Sequence, residues 1–237
     1  MAYQICTRCI MDTTDPKITF DDKGVCSHCY YFDTVRKPNW HPNAEGKAYL
    51  DKYIKELKIM RANHQYDCMI GLSGGVDSSY LAYYLKTEYD LRMLAVHVDA
   101  GWNTEQAVSN IENIVKRLEI DLFTHVVDWQ EMKKVQSAFL RSETVNQDTP
   151  QDHAYFAALY KTAKDFNISD FLVGYNLQTE SILPKSWQGI PALDSIHFDY
   201  VCKKFGGVRV NKFPKVGFFD YHFYYPFFYK LNKFSPL

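Results

Sequence analysis

Glycine and serine residues between Met69 and Ser79 have the types and spacing of an anion-binding loop. They follow an apolar run, residues 68–72, that predicts a buried strand, and they precede a helical pattern over residues 76–87. Glycine at such a junction lets the backbone turn sharply and approach a ligand closely. The first N–H groups of the helix have no intrahelical partner and lie at the positive end of its dipole. These features predict a phosphate cradle made by Ser73, Gly74, Gly75, Val76, Asp77, Ser78 and Ser79.

Three interpretations of this loop compete. A Walker A loop needs a lysine after its last glycine, and none follows Gly75. Residues 71–75 satisfy the short Gly-x-Ser-x-Gly pattern of a nucleophile elbow. Residues 73–78 match Ser-Gly-Gly-x-Asp-Ser, the pyrophosphate loop of the ATP pyrophosphatases, at every fixed position. This longer match favours an ATP-binding loop, in which Asp77 coordinates Mg²⁺ or orients the loop, unless it is an ordinary acidic residue of a first helical turn.

Two Cys-x-x-Cys pairs, Cys6/Cys9 and Cys26/Cys29, stand near the N-terminus. Their separation is typical of a site in which four thiolates surround one tetrahedral zinc ion. Such a site has no open coordination position, so we expect a structural Zn²⁺ on short hairpins. A redox or iron–sulfur role is the alternative, and His28 is the substitute ligand. Of the remaining cysteines, Cys68 is expected in the core and Cys202 is assigned no role.

Bulk properties narrow the class of protein. The 237 residues carry a formal net charge of −1, which argues against a nucleic-acid partner held mainly by phosphate contacts. No apolar run is long enough to span a bilayer, and the N-terminus lacks the regions of a signal peptide. A cytoplasmic location is therefore expected, with cysteines that are reduced or bound to metal. Self-association is left open.

Apolar runs alternate with helical patterns, which predicts a Rossmann-like α/β fold with a parallel sheet and right-handed crossovers. Strands are expected at residues 68–72, 93–98, 122–127 and 170–173, and helices at residues 50–60, 76–87, 105–118, 129–140 and 151–166. The inward faces of the second and third helices are predicted to carry Tyr80, Leu81, Tyr84 and Leu85, and then Val108, Ile111, Ile114, Val115 and Leu118.

The chain divides into four parts. Residues 1–38 form the cysteine module, residues 39–64 a connecting helix, and residues 65–190 the nucleotide-binding domain. Residues 191–237 form an aromatic-rich C-terminal segment, whose aromatic residues at 216–229 are too large an apolar load to leave on a surface and should be packed. After Lys230 no closing element is predicted.

Polar residues follow the predicted strands, and ligands of open parallel sheets bind beyond the carboxyl ends of the strands. Asp99 ends the second strand and is either a turn residue or a ligand of ribose, adenine or metal. Asp152 and His153 begin the helix after Pro150 and are functional candidates, although a single histidine is more often structural. Beyond the fourth strand lies a polar cluster of Gly174, Asn176, Thr179, Glu180 and Lys185.

The order of these features resembles the N-acetyl sugar amidotransferases of surface-polysaccharide, lipopolysaccharide and nonulosonic-acid biosynthesis, which belong to the adenine nucleotide α-hydrolase superfamily. The resemblance rests on the cysteine pairs, the pyrophosphate loop, His97-Val98-Asp99-x-Gly101-Trp102-Asn103, Asp152-His153-Ala154 and the segment from Gly174 to Trp187. That last segment is the most specific part. Ala100 departs from the pattern, which has a polar Asn there. Family members extend beyond Leu237, so a truncated C-terminal segment is expected.

The resemblance implies a mechanism and partners. ATP with Mg²⁺ lies over residues 73–79, with Asp99, Gly174 and Asn176 as further nucleotide contacts. The amide oxygen of an N-acetylated sugar or nucleotide sugar attacks the α-phosphorus, and ammonia from a separate glutaminase subunit displaces AMP to give an acetamidino group. Asp77, Asp152, His153 and Glu180 are the candidate catalytic residues.

Three other functions remain. A tRNA sulfur-transfer enzyme shares the pyrophosphate loop but favours a basic surface and cysteines after the loop. A serine hydrolase would use Ser73 with Asp194 and either His197 or His222. A truncated, non-catalytic nucleotide-binding scaffold is the third.

Overall fold

The computed structural model describes residues 2–180, 182, 184–207, 210, 212–225 and 232–234, apart from the side chains of residues 178, 179, 185, 233 and 234. The strands are β1 (Cys68–Gly71), β2 (Met93–Asp99), β3 (Asp121–Val126), β4 (Asp170–Leu172) and β5 (Asn232–Phe234). The α-helices are α1 (Ser27–Tyr31), α2 (Ala44–Met60), α3 (Val76–Tyr89), α4 (Glu105–Leu118), α5 (Trp129–Ser142), α6 (Thr149–Asp165), α7 (Leu177–Glu180), α8 (Lys185–Gln188) and α9 (Ser195–Gly206).

The strands form one parallel sheet in the order β3-β2-β1-β4-β5. The α/β fold with a parallel sheet is therefore confirmed, and the four expected strands lie where the apolar runs placed them. The expectation that no closing element follows Lys230 is wrong, because strand β5 lies there and pairs with β4. Its short segment has no alternating apolar pattern, so only its pairing with β4 reveals it.

Helices cover the sheet on both faces. On one face, α2, α3 and α4 bury their apolar sides against Cys68, Ile70 and Ala95. On the other, α6 packs against Met69, Leu94 and Val96. This arrangement matches the alternation of side chains along buried parallel strands. A further cluster joins α5 to α9 and includes Phe139 and Phe198, so a helix that the sequence did not reveal closes the side of the domain.

The helix faces agree with the sequence only in part. Leu81, Leu85 and Ile111 are buried as expected, whereas Tyr80 is 51% exposed and Val108 is 40% exposed. Both exposed residues lie in the first turns of their helices, near the carboxyl edge of the sheet. The residue before α4 has a helix-capping sequence, and the structure uses it: the hydroxyl of Thr104 accepts a hydrogen bond from the N–H of Ala107 at the start of the helix.

The aromatic C-terminal segment is only partly packed. Tyr225 stacks on Tyr160 of α6 with ring centroids 4.1 Å apart. Phe219 is 76% exposed, and Phe218 and Phe223 are also exposed. The expectation that these rings are packed is therefore wrong for these three, and residues 226–229 lie outside the described part. No helix among the described residues is long and apolar enough to cross a membrane.

Candidate functional site

The loop after β1 holds its shape through its own serines. The Ser78 hydroxyl accepts from the N–H of Ser73 (3.3 Å) and donates to the carbonyl oxygen of Gly75 (3.2 Å). The Ser73 hydroxyl accepts from the N–H of Gly75 (3.3 Å) and lies 3.1 Å from the Ser78 hydroxyl. The loop is thus held by its own hydrogen bonds, and its N-cap residue, Gly75, makes no side-chain cap, so the first N–H groups of α3 stay available to a ligand.

Gly74 is the position of this loop that only glycine fits. Its φ is +79°, in the left-handed region, and an added Cβ would overlap the carbonyl oxygen of Ala107 on α4. The side-chain amide of Asn110, also on α4, donates to the carbonyl oxygen of Gly74 (2.9 Å). The loop is therefore clamped against α4, which fixes the direction in which its N–H groups point.

A cavity of about 520 Å³ opens over the loop at the carboxyl edge of the sheet. Ser73, Asp77 and Ser78 of the loop line it, together with residues from the β2–α4 loop and from α6. The volume is in the range of a small-molecule site. The described lining consists of Gly71, Leu72, Ser73, Asp77, Ser78, Val96, His97, Val98, Trp102, Asn103, Thr104, Ala107, Gln151, Tyr155, Phe171, Val173, Gly174 and Glu180.

His97 and Asn103 form an oriented pair in the cavity wall. Nδ1 of His97 lies 2.9 Å from the carbonyl oxygen of Leu72, which can only accept, so Nδ1 carries the proton. Nε2 is then an acceptor, and it lies 3.0 Å from the side-chain nitrogen of Asn103. The Asn103 amide is thereby held with its nitrogen toward His97, which leaves its oxygen as a hydrogen-bond acceptor for a ligand.

The α6 wall presents Gln151 and Tyr155, which lie one helical turn apart. An added Cβ at Gly71 would overlap the Tyr155 hydroxyl, so β1 approaches this side chain as closely as glycine permits. Burial, together with the charge of Asp152, raises the pKa of Tyr155, which keeps the phenol a neutral donor. Helix α6 therefore contributes neutral polar groups to the same cavity as the phosphate cradle.

Several predicted site residues are not among the described lining residues of the cavity: Gly74, Gly75, Val76, Ser79, Asp99, Asp152, His153 and Asn176. The Asp99 carboxylate accepts from the N–H of Gly101 (2.9 Å), as a turn residue does. His153 is fully buried and stacks on Phe198; its Nδ1 lies 2.6 Å from the carbonyl oxygen of Ala192, and its Nε2 accepts from the N–H of Val216 (3.2 Å). Both ring nitrogens are occupied, so the ring ties α6 to the C-terminal segment.

Asp152 is half-buried beside Asp148. Burial and then the Asp148 charge raise the pKa of its carboxyl. Perturbed carboxylates often mark functional sites, but Asp152 is not among the described residues that line the cavity. The catalytic assignments of Asp152 and His153 therefore stay predictions, which this placement does not favour.

The segment after β4 brings Gly174 and Glu180 to the cavity. An added Cβ at Gly174 would lie 3.0 Å from the carbonyl oxygen of Asp77, so this glycine lets the segment pass against the first turn of α3. The Glu180 carboxylate accepts from the N–H of Asn176 (3.2 Å), and the Tyr175 hydroxyl donates to the carbonyl oxygen of Glu180 (2.8 Å). Ser181, Leu183 and the side chains of Thr179 and Lys185 lie outside the described residues.

The four N-terminal cysteines converge as predicted. Their sulfur atoms all lie within 4.8 Å of one another, and two pairs, Cys6/Cys29 and Cys9/Cys26, are 3.9 and 3.7 Å apart. A tetrahedron with Zn–S bonds of about 2.3 Å has edges of about 3.8 Å, so the cluster fits such an ion. Sγ of Cys6 also accepts from the N–H groups of Arg8 (3.4 Å) and Cys26 (3.3 Å), which stabilises a thiolate. Those N–H bonds offset burial and lower the pKa of Cys6 to about 6.

His28 is not directed at the cluster. Its Nε2 lies 2.7 Å from the carboxylate of Asp15, whose side chain is 1% exposed. The same carboxylate accepts from the Ser186 hydroxyl of α8 (2.8 Å). Burial alone would raise the pKa of Asp15, but the bonds from Ser186 and His28 hold it below its usual value. Asp15 therefore joins the cysteine module to the segment that follows the cavity.

The sequence does not single out most of the uncharged residues that line the cavity with the phosphate cradle. Asn103 and Trp102 stand only within a longer motif, and Gln151 and Tyr155 belong to no motif. Helical spacing was a usable signal for α6: residues 151 and 155 share a face, whereas residues 152 and 153 point elsewhere. It shows which residues go together, but not which face meets the cavity.

Comparison with known proteins adds a family match. Residues 67–179 match the family model described as queuosine biosynthesis protein QueC. An uncharacterised protein of Methanocaldococcus jannaschii is 28% identical over 120 residues, which cover 49% of this chain and 40% of that protein. The chain thus spans less than half the length of this curated relative.

Solved structures with a similar arrangement share little sequence. U34-tRNA thiolase NcsA from Methanococcus maripaludis, solved with its [4Fe-4S] cluster, is 11% identical, with a TM-score of 0.45 over 100% of this chain and 68% of that one. NMN synthetase from Francisella tularensis is 22% identical, with a TM-score of 0.42 over 56% and 55%. NH3-dependent NAD synthetase from Campylobacter jejuni is 16% identical, with a TM-score of 0.41 over 56% and 57%.

The family match covers the loop after β1, most of the described cavity lining and the first residues after β4, and it ends before Glu180. It agrees with the loop's Ser-Gly-Gly-x-Asp-Ser sequence and with its position between a parallel strand and a helix. In sequence and in the placement of this loop, residues 67–179 are therefore similar to that family and to the PP-loop ATP pyrophosphatases, whose loop has this pattern.

Proposed function

We propose that this chain is an ATP-dependent amidotransferase that converts the N-acetyl group of a sugar or nucleotide sugar into an acetamidino group, with release of AMP and pyrophosphate. It would act in the cytoplasm in surface-polysaccharide biosynthesis and receive ammonia from a separate glutaminase. The carrying observation is that one cavity is lined both by residues of the phosphate cradle and by the uncharged polar side chains of Asn103, Gln151 and Tyr155.

The two groups of lining residues suit different parts of the reaction. The N–H groups at the start of α3 and the Ser73 hydroxyl would bind the β- and γ-phosphates, where negative charge grows as pyrophosphate leaves. The oxygen of Asn103 and the side chains of Gln151 and Tyr155 are suited to the N–H, carbonyl and hydroxyl groups of an acetamido sugar. Because the acetamido group of the sugar is uncharged, it would be bound through hydrogen-bond donors and acceptors rather than through charged side chains.

In the first step, the acceptor's amide oxygen attacks the α-phosphorus, and the bond from that phosphorus to the bridging oxygen of pyrophosphate breaks. In the second step, ammonia adds to the activated amide carbon, and the bond from that carbon to the AMP oxygen breaks. The Glu180 carboxylate, which lines the cavity, would accept a proton from the incoming ammonia. No side chain has to act as a nucleophile.

Two metals fit the residues. Asp77 would hold Mg²⁺ against the phosphates, where the ion neutralises their charge. The four-cysteine cluster would hold one structural Zn²⁺, whose binding energy contributes to folding of the N-terminal module.

The rival activities find less support in the cavity. Among the described lining residues there is no cysteine; Cys68 is buried in the sheet and Cys202 packs between α5 and α9, which disfavours thiolate-based sulfur transfer. The Asp194 carboxylate caps α9 by accepting from the N–H of His197 (2.9 Å), so this pair is not arranged as the acid and base of a hydrolase.

A step in queuosine biosynthesis is a second candidate, and the family match alone favours it. That match ends at residue 179, before the residues 180–187 that complete the most sugar-specific stretch of the sequence. It also covers the nucleotide-binding part, which the whole superfamily shares. We therefore rank it below the sugar amidotransferase.

The test supplies purified protein with ATP, Mg²⁺, ammonium and a panel of acetamido and diacetamido sugars, free and nucleotide-linked. AMP release that depends on one sugar, with a product one mass unit lighter because oxygen is replaced by NH, would support the proposal. AMP release without any sugar requirement, or ATP binding with no AMP from any sugar, would contradict it for this chain.

A matched pair of isosteric variants locates the chemistry. Asp77→Asn should abolish AMP release because its carboxylate lines the cavity beside the phosphate cradle. Asp99→Asn keeps the oxygen that accepts from Gly101 and should retain activity. Equal losses in both variants would show that Asp99 also binds the nucleotide or its metal, as the sequence predicted.

A further inference from the structure

Strand β3 forms one edge of the sheet. Among the residues that the structure describes, it pairs only with β2, and none pairs with its outer side. Edge strands usually carry a proline, an outward lysine or a bulge that prevents further pairing. The sequence of β3, Asp-Leu-Phe-Thr-His-Val, has neither proline nor lysine, and its register with β2 runs without interruption.

The hydrogen-bonding direction of β3 can be deduced from its neighbours. The N–H of Val127 donates to the carbonyl oxygen of Asp99 on β2 (2.8 Å), so Val127 points its main-chain groups toward β2. Because these groups alternate along a strand, those of Leu122, Thr124 and Val126 point outward. All three are exposed, as is Asp121 at the start of the strand: Leu122 is 37% exposed and Val126 is 68% exposed.

The side chains of these three residues stand on the face of the sheet that α4 covers. Their register partners on β2 are Ala95, His97 and Asp99. Ile111 is the buried residue of α4, and Leu122 and Val126 of β3 remain exposed on this face. Within the described part of the chain, the edge therefore combines main-chain groups that have no strand partner with two apolar side chains, in a strand six residues long.

The edge is complementary to itself. When two copies run antiparallel about a two-fold axis at Thr124, Leu122 of each copy lies opposite Val126 of the other, and Thr124 lies opposite Thr124. All three are hydrogen-bonded pairs, because their N–H and C=O groups point outward. Six hydrogen bonds would close on both copies with no unpaired end. Leucine and valine would then form cross-strand apolar pairs on either side of the axis.

We propose that the β3 edge is a homodimer interface, through which two copies join their sheets antiparallel about Thr124. A two-fold contact of this kind is closed and does not propagate. Stable interfaces bury about 1,200–2,000 Å² in total, and a single strand pair with its flanking side chains falls at or below that range. The dimer should therefore exchange with monomer at roughly micromolar concentrations.

The test measures mass by analytical ultracentrifugation over a concentration series. The wild type should shift from monomer to dimer. Thr124→Pro removes an N–H that plays no part in pairing with β2, so the fold is kept while the dimer weakens by roughly tenfold or more. Thr124→Val retains the N–H and should dimerise like the wild type. Circular dichroism of both variants checks that they are folded.

Cysteine cross-linking tests the register. Thr124→Cys places two cysteines opposite each other, with Cα atoms about 5.5 Å apart, within reach of a disulfide. Leu122→Cys places its two copies roughly 13 Å apart along the strands, beyond that reach. Oxidation should therefore link Thr124→Cys, should not link Leu122→Cys, and should link a mixture of Leu122→Cys with Val126→Cys.

Several outcomes would overturn the proposal. They are a monomer at every concentration up to roughly 100 µM, a dimer that Thr124→Pro leaves unchanged, or linking of Leu122→Cys as readily as of Thr124→Cys. The wild type under the same oxidation controls for the native cysteines.

Discussion

Replacing Gly74 with alanine tests the close contact between the phosphate loop and helix α4. The residue has φ +79°, and a Cβ there would overlap the carbonyl oxygen of Ala107 and lie 3.0 Å from its Cα. Left-handed backbone costs a non-glycine residue about 1–2 kcal/mol. Pressing a methyl group into a helix backbone costs about 1–3 kcal/mol more. Gly74→Ala should therefore lower the free energy of unfolding by about 2–5 kcal/mol.

The neighbouring glycine provides the control. Gly75 has φ −78° and ψ 165°, which any residue adopts, and a Cβ there would meet only the Ser73 hydroxyl, at 3.4 Å. Gly75→Ala should leave the stability within about 0.5 kcal/mol of the wild type. If Gly75→Ala keeps its stability but loses ATP affinity, the open space beside this residue is where the phosphates bind.

The assay is thermal and urea unfolding of both variants, followed by ATP titration. For a chain of this length each kcal/mol shifts Tm by about 2–4 °C, so Gly74→Ala should melt roughly 4–20 °C lower. A Gly74→Ala protein as stable as Gly75→Ala would refute the reasoning, because it would mean that the loop is not held against α4 as described.

Three further predictions concern the rest of the chain. The wild type should contain one zinc ion per chain by elemental analysis; Cys29→Ser should lose it, whereas Cys202→Ser should retain it. A wild type without metal, or equal zinc contents in the two variants, would contradict the four-cysteine site. Ser186→Ala should cost about 1 kcal/mol and Asp15→Asn about 1–3 kcal/mol in urea unfolding, and both should speed proteolysis after β4; unchanged cleavage would show that the link holds nothing in place. Asp152→Asn should be more stable than the wild type near pH 7 and equally stable near pH 3. Folding raises the pKa of the Asp152 carboxyl, so the wild type loses stability as the pH rises through that pKa, whereas the amide does not titrate. A stability difference that stays constant across this pH range would contradict the burial of the Asp152 charge.

The parts of the fold that the sequence predicted are those that local patterns encode. The buried strands are continuous apolar runs, and the phosphate loop brings its ligand-binding atoms from consecutive residues. Their physics is complete within about ten residues, so a pattern is enough to place them. The same holds for the cysteine pairs, because metal coordination fixes the spacing of each pair.

The missed parts depend on contacts between distant residues. Strand β5 exists because it pairs with β4, and α9 exists because Phe198 packs on Phe139 of α5. The rotation of α6 about its axis decides that Tyr155 faces the cavity and His153 the core. The spacing of apolar residues does not show which face of a helix meets the cavity when most of the helix is buried, as in α6.

The cysteine module gains a purpose from its position. Helices α7 and α8 have four residues each, far fewer than an isolated helix needs for stability in water. They carry Glu180 at the cavity and Trp187 beyond it, so tertiary contacts must hold this segment in place. Asp15 supplies one such contact, because its buried carboxylate binds both Ser186 on α8 and His28 beside the four-cysteine cluster. A structural metal far from the reacting atoms would therefore act on the site indirectly, by keeping rigid the surface on which the segment after β4 is folded.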